Sequence, residues 1–171
     1  MPDTPTRITG STRPTRASVT VGTEDDTATL AARVAMALQT GEILAMDGPM
    51  GAGKTTFVRH LAAALGVAPG LVASPTYVLA HEYPTDRGWT LVHIDAYRLR
   101  SGEDLDAIGW DRLLAGGGVV VVEWATRVAD ALPPERLTWV RIGVPETPVG
   151  AAPATARTFV FEGPLAQRLR T

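Results

Sequence analysis

Apolar positions along the chain fall into runs and faces that predict alternating helices and strands. Thr27, Leu30, Ala31, Val34 and Leu38 recur at the spacing of one helical face. Thr23 and Asp26 supply a reciprocal cap at the start of that helix, and Gly41 is expected to stop it. Glu42 to Asp47, with Ile43-Leu44-Ala45-Met46 as a short continuous apolar run, predicts a buried strand. Thr55 to Leu65 reads as a helix stopped by Gly66. Tyr77 to Glu82 and Trp89 to Asp95 predict two strands around a turn at Pro84-Thr85-Asp86-Arg87-Gly88. Ser101 and Asp104 open a further helix running towards Leu114. Gly116-Gly117-Gly118 then releases the chain into Val119-Val120-Val121-Val122-Glu123, the clearest buried strand. Leu137 to Val144 and Arg157 to Glu162 predict the last strands, followed by a short helix after Pro164. The alternation points to an α/β fold, a sheet flanked by helices. The hairpin makes that sheet mixed rather than purely parallel.

Composition narrows the setting. The chain has 171 residues, enough for one domain with a sizeable core, with 45% hydrophobic and 20% charged residues. A net charge of −2 provides no global field for nucleic acid, so a nucleic-acid role has to be local or indirect. The absence of cysteine excludes disulfides, iron–sulfur clusters and thiolate zinc, and agrees with a reducing compartment. No apolar run is long enough to span a bilayer, and the expected location is cytoplasmic. Residues 1–18 are rich in Thr, Pro and Arg and read as a disordered tail, leaving 19–171 as a single domain. Pro145 to Ala156 reads as a surface loop.

The strongest chemical signal is Gly48-Pro49-Met50-Gly51-Ala52-Gly53-Lys54-Thr55, which fits G-x-x-x-x-G-K-[ST] between a strand and a helix. A polyphosphate needs many donors at close range. Glycines let backbone N–H groups turn inward, and the following helix presents its positive end. In this pattern Lys54 meets the β- and γ-phosphates of ATP, Thr55 offers its hydroxyl to Mg²⁺, and Thr56 donates near the α-phosphate. With glycine near 7% of residues, an accidental match is expected in roughly one chain in a hundred.

An acidic group is also needed to hold Mg²⁺ or its waters and to orient the attacking water. Glu123 ends one buried strand and Asp95 another. Carboxylates at such strand ends open into the crevice where α/β sheets bind ligands. The bland readings are a solvated strand end for Glu123 and a turn residue for Asp95. His60, His81 and His93 form no ligand cluster and read as packing or surface residues, and Trp124 and Trp139 as core aromatics. Arg98, Arg127 and Arg157 are solvated by default.

Four separated segments resemble the TsaE (YjeE) family. They are Gly51-Ala52-Gly53-Lys54-Thr55-Thr56-Phe57, Ser74-Pro75-Thr76-Tyr77, His93-Ile94-Asp95-Ala96-Tyr97-Arg98-Leu99, and the run ending in Glu123-Trp124. The likeness covers roughly Val19 to Val144. It implies an ATPase serving tRNA threonylcarbamoyladenosine biosynthesis. Such a protein works with TsaD and TsaB, resets their complex by hydrolysing ATP, and meets tRNA only through that complex. A slow enzyme alone and stimulation by partners are implied. Lys54, Thr55 and Glu123 carry over as phosphate and Mg²⁺ contacts, with Thr76 and Asp95 in switch-like or catalytic positions. Thr23 and Arg157 stand where the family also meets the nucleotide. Pro49-Met50 departs from the family's usual acidic-plus-Leu pair, and Ala125 stands where proline is frequent.

Two other readings use the same loop. A small-molecule or nucleotide kinase needs an arginine-bearing lid, whereas the arginines here are scattered. A non-catalytic nucleotide-binding scaffold needs no Glu123.

Overall fold

The computed structural model describes residues 15–68, 70–72, 80–144 and 155–170. Strands β1 (Arg16–Val21), β2 (Ile43–Asp47), β3 (Ala80–Pro84), β4 (Thr90–Asp95), β5 (Val119–Glu123), β6 (Leu137–Gly143) and β7 (Arg157–Glu162) form one sheet in the order β1-β7-β6-β2-β5-β4-β3. The pairs β2–β5, β2–β6 and β4–β5 are parallel, whereas β3–β4, β6–β7 and β1–β7 are antiparallel. The sheet is therefore mixed, as expected, with a parallel centre and antiparallel margins.

Helices α1 (Glu24–Ala37) and α2 (Lys54–Ala64) pack on one face with α4 (Pro164–Arg168), burying Leu30, Val34, Phe57, Leu61 and Leu165 against Leu44, Met46 and Val121. The opposite face, formed by Ile43, Val92, Ile94, Val120 and Val122, is covered by α3 (Trp110–Ala115) and short 3₁₀ turns. Successive residues of β2 and β5 serve the two cores alternately. That is why both strands are apolar without interruption until their final carboxylate.

The capping box of α1 forms as its sequence predicts. The Asp26 N–H donates to Thr23 Oγ1 at 3.1 Å, and the Thr23 and Gly22 N–H groups both donate to Asp26 Oδ2 at 3.0 Å. These bonds, led by the one from Gly22, hold the Asp26 carboxyl below its usual range. A depressed carboxylate stabilises the fold above its unfolded pKa, and that contribution is lost as pH falls through the folded value. Asp26→Ala is accordingly expected to lower the melting temperature at neutral pH. The gap to the parent protein should narrow in thermal scans as pH falls below about 4 and close only below the depressed folded value, where both states hold the proton.

Several boundaries differ from the sequence expectation. Arg16, Ala17 and Ser18, assigned to the tail, begin β1 and pair with Glu162, Phe161 and Val160. Their side chains alternate between exposed and half-buried, a period-two signal masked by Thr and Arg. Residues 1–14 of the expected tail and 145–154 of the expected loop lie outside the described residues. The helix expected from Ser101 to Leu114 is instead a 3₁₀ segment at Gly102–Ile108 followed by α3. Gly109, at φ +75°, separates the two. The strand expected from Tyr77 begins, among the described residues, at Ala80 and extends to Pro84.

Candidate functional site

The glycine-rich loop joins β2, in the parallel centre of the sheet, to α2. Gly48 sits so close to β6 that an added Cβ would collide with the Ile142 carbonyl oxygen. Gly53, at φ +98°, precedes Lys54 at the helix start in a conformation that L side chains avoid, with open space where a side chain would stand. The loop thus passes tightly over the sheet on one side and keeps its other side clear. The first N–H groups of α2 are left without intrahelical partners at that clear side.

Lys54 is 5% exposed, and its Nζ donates to the carbonyls of Gly48 at 2.7 Å and Pro49 at 3.0 Å. The ammonium also lies 3.7 Å from the centre of the Trp124 ring. Burial pushes Lys54 below the usual lysine range, against the opposing pull of Glu123, Asp47 and Asp95. Trp124 is the only described non-glycine residue at positive φ (+59°), a strained turn directly after β5 that turns its ring towards the loop. Tyr97 packs on Trp124 at 5.1 Å, and the Arg127 guanidinium lies 5.2 Å from the Tyr97 ring. The sequence reading of Trp124 as a core aromatic is thus corrected: it is half-buried and lines the site.

Two carboxylates complete the edge. Asp95 and Glu123 are partners in the parallel register of β4 and β5 and share one end of the sheet. Glu123 is 2% exposed. Its Oε2 accepts from Thr55 Oγ1 at 3.0 Å and its Oε1 from His93 Nε2 at 2.8 Å. A solvated strand end is therefore excluded for Glu123. Asp95 is 7% exposed and accepts from the Tyr97 N–H at 2.9 Å, so it caps a turn and also faces the cavity. His93, expected as an ordinary packing residue, is fully buried against Glu123.

A cavity of about 350 Å³ collects Gly51, Gly53, Lys54, Thr55, Asp95 and Glu123 under the rim of Tyr97 and Trp124. A second, of about 240 Å³, lies across the same loop and is lined by Thr23, Glu24, Ala52, Thr56, Arg157 and Phe159. The expected site residues thus divide between two adjoining hollows that share Gly51, Ala52, Gly53 and Thr56. In the second, Thr23 Oγ1 already accepts the cap bond from Asp26, which leaves its hydroxyl proton for another acceptor. Thr76 lies outside the described residues.

Thr55 and Glu123 suit a hard divalent cation. A hydroxyl that gives its proton to a carboxylate keeps its lone pairs, so the two residues offer oxygen donors side by side. Among the described residues no group of three His, Asp or Glu side chains gathers. The Thr55–Glu123 pair fits Mg²⁺, which takes one or two protein ligands and fills its shell with phosphate and water.

Fold and site define the class as a P-loop NTPase-like α/β domain. The chain belongs to the TsaE family: the model of the threonylcarbamoyl adenosine biosynthesis protein TsaE matches residues 21–147. The tRNA threonylcarbamoyladenosine biosynthesis protein TsaE of Aquifex aeolicus is 43% identical over 110 residues, 64% of this chain and 77% of that protein. Its counterpart in Bacillus subtilis is 37% identical over 113 residues, 66% of this chain and 69% of that protein. The crystal structure of Bacillus subtilis YdiB superposes with a TM-score of 0.71 at 26% identity, covering 94% of this chain and 97% of that one. The chain accordingly has a role in tRNA threonylcarbamoyladenosine biosynthesis, and no helix among the described residues is long and apolar enough to cross a membrane.

Proposed function

We propose that the protein binds ATP with Mg²⁺ and hydrolyses it to reset a TsaB–TsaD complex between rounds of threonylcarbamoyl transfer to tRNA. The observation that carries this reading is the convergence of Lys54, Thr55 and Glu123 on one loop-lined cavity. Lys54 and the N–H groups at the start of α2 bind the β- and γ-phosphates. Thr55 and Glu123 hold Mg²⁺, which when bound neutralises developing charge on the phosphoryl oxygens. Asp95, on the neighbouring strand end, orients the attacking water, and Thr76 contributes from its own motif. Thr56 reaches the α-phosphate, while Thr23 and Arg157 flank the hollow that takes the nucleoside end.

The partners follow from the family. TsaD and TsaB act on the tRNA, and this chain meets tRNA only through them. Its net charge of −2 supports that division of labour, since independent tRNA binding draws on a positive surface. The partners being cytoplasmic enzymes of tRNA modification, the same location is assigned to this chain.

The test is phosphate release from ATP with and without purified TsaB and TsaD. Slow release alone and clear stimulation by the pair are expected. An unchanged rate and no co-migration with TsaB–TsaD would remove the resetting role. Transfer of the labelled γ-phosphate to a small acceptor would replace hydrolysis with a kinase activity.

A further inference from the structure

We propose that His93 is a positioning residue for Glu123, fixing the carboxylate so that its free lone pairs face the cation site. The inference rests on the reading of Glu123 as a magnesium contact. His93 stands opposite Val121 in the β4–β5 register, one residue pair behind Asp95 and Glu123. His93, Asp95, Val121 and Glu123 therefore share one face of the sheet, the face covered by α2. From there the imidazole reaches diagonally to Glu123 Oε1 at 2.8 Å, while Thr55, on the first turn of α2, holds Oε2 at 3.0 Å.

Packing alone does not account for an imidazole here. The neighbouring positions on this face are Leu91, Val119 and Val121, all fully buried, and an aliphatic side chain fills such space without desolvating ring nitrogens. Nδ1 is buried with no hydrogen-bond partner among the described residues, so the ring is only half satisfied. Among the described residues the ring's one polar contact is with Glu123, and that contact explains its presence.

The mechanical effect follows from side-chain freedom. The terminal torsion of a glutamate is broad, and one anchor leaves the carboxylate plane free to turn. Two anchors, on different oxygens and from different elements (β4 and α2), fix that plane. Partners of this kind behind a metal ligand change metal affinity or activity by about 10–100-fold when removed.

Three variants test the proposal. His93→Leu fills the space without a donor, and His93→Gln keeps an N–H donor. Glu123→Gln checks the underlying magnesium reading. The readouts are ADP affinity by calorimetry in EDTA and across a magnesium titration, with the magnesium half-saturation of ATP hydrolysis measured beside it. His93→Leu is expected to raise magnesium half-saturation about 10–100-fold, leaving metal-free ADP affinity unchanged, and His93→Gln to reverse most of that shift. A parallel fall in metal-free affinity and melting temperature with unchanged magnesium response would assign His93 a packing role only and overturn the proposal. So would a His93→Gln protein as defective as His93→Leu. If His93→Leu does not fold, His93→Gln decides: a near-parental magnesium response supports the proposal, and a shifted one overturns it. If Glu123→Gln leaves the magnesium response unchanged, the cation reading of Glu123 fails. If it shifts the response while His93→Leu does not, only the role of His93 fails.

Discussion

Lys54→Met is expected to reduce ATP hydrolysis by at least about 10²–10³-fold, the scale on which removing one electrostatic group at a transition state acts. The native ammonium carries a desolvation cost that its contacts only partly offset. It is 5% exposed, held by two loop carbonyls and a ring face, and burial has pushed it below the usual lysine range. A lysine so depressed is a liability to the empty fold: the unfolded chain holds the proton more tightly, and stability rises with pH between the folded and unfolded values. Methionine keeps most of the aliphatic stem and discards the charge. Hydrolysis should therefore collapse while the melting temperature of the nucleotide-free protein holds or rises. A coupled assay and a thermal scan on the same preparation measure both. Loss of stability in step with activity would mean that the ammonium serves the loop rather than the phosphates.

The second large effect is expected at Glu123. Glu123→Ala removes the acceptor of both Thr55 and His93 and should lower partner-stimulated hydrolysis by about 10²–10³-fold. Its effect on folding has two opposing parts. The fully buried His93 loses the one polar contact its ring makes among the described residues, a penalty of about 1–3 kcal/mol for an orphaned donor. Deleting a buried carboxylate also relieves its desolvation, so the net change should be small against the loss of rate. Nucleotide affinity in EDTA should survive, because the loop amides and Lys54 remain. Undiminished hydrolysis with TsaB and TsaD present would leave a binding scaffold as the better description.

The parts of the site that could be read from sequence are those whose meaning is local. The loop states its own conformation, since Gly48 and Gly53 are required by close approach and positive φ within one short segment. Asp95 and Glu123 were visible because each closes an apolar run, and such runs end at the ligand-binding edge of an α/β sheet. His93 carried no comparable signal. Its role depends on a carboxylate 30 residues away, and a lone histidine in a strand looks the same whether or not that carboxylate faces it. Trp124 was hidden for a related reason: its position over Lys54 comes from a single strained backbone turn that composition does not announce. In the fold, β1 was missed because its alternation is short and carried by Ala17, Val19 and Val21 among Thr, Ser and Arg. The break at Gly109 was missed because capping residues at Ser101 and Asp104 suggest one continuous helix, whereas a left-handed glycine divides the segment.

The matched ending of β4 and β5 has a consequence for how the domain can be altered. Asp95 and Glu123 are ladder partners on adjacent parallel strands, about 4.8 Å apart in the hydrogen-bonding direction. Their spacing belongs to the backbone lattice of the sheet and is inherited by any variant that keeps that lattice. Surface segments can be lengthened, shortened or exchanged without retuning this acidic ledge. A slip of β5 by one residue would instead turn Glu123 to the opposite layer and put Val122 or Trp124 in its place.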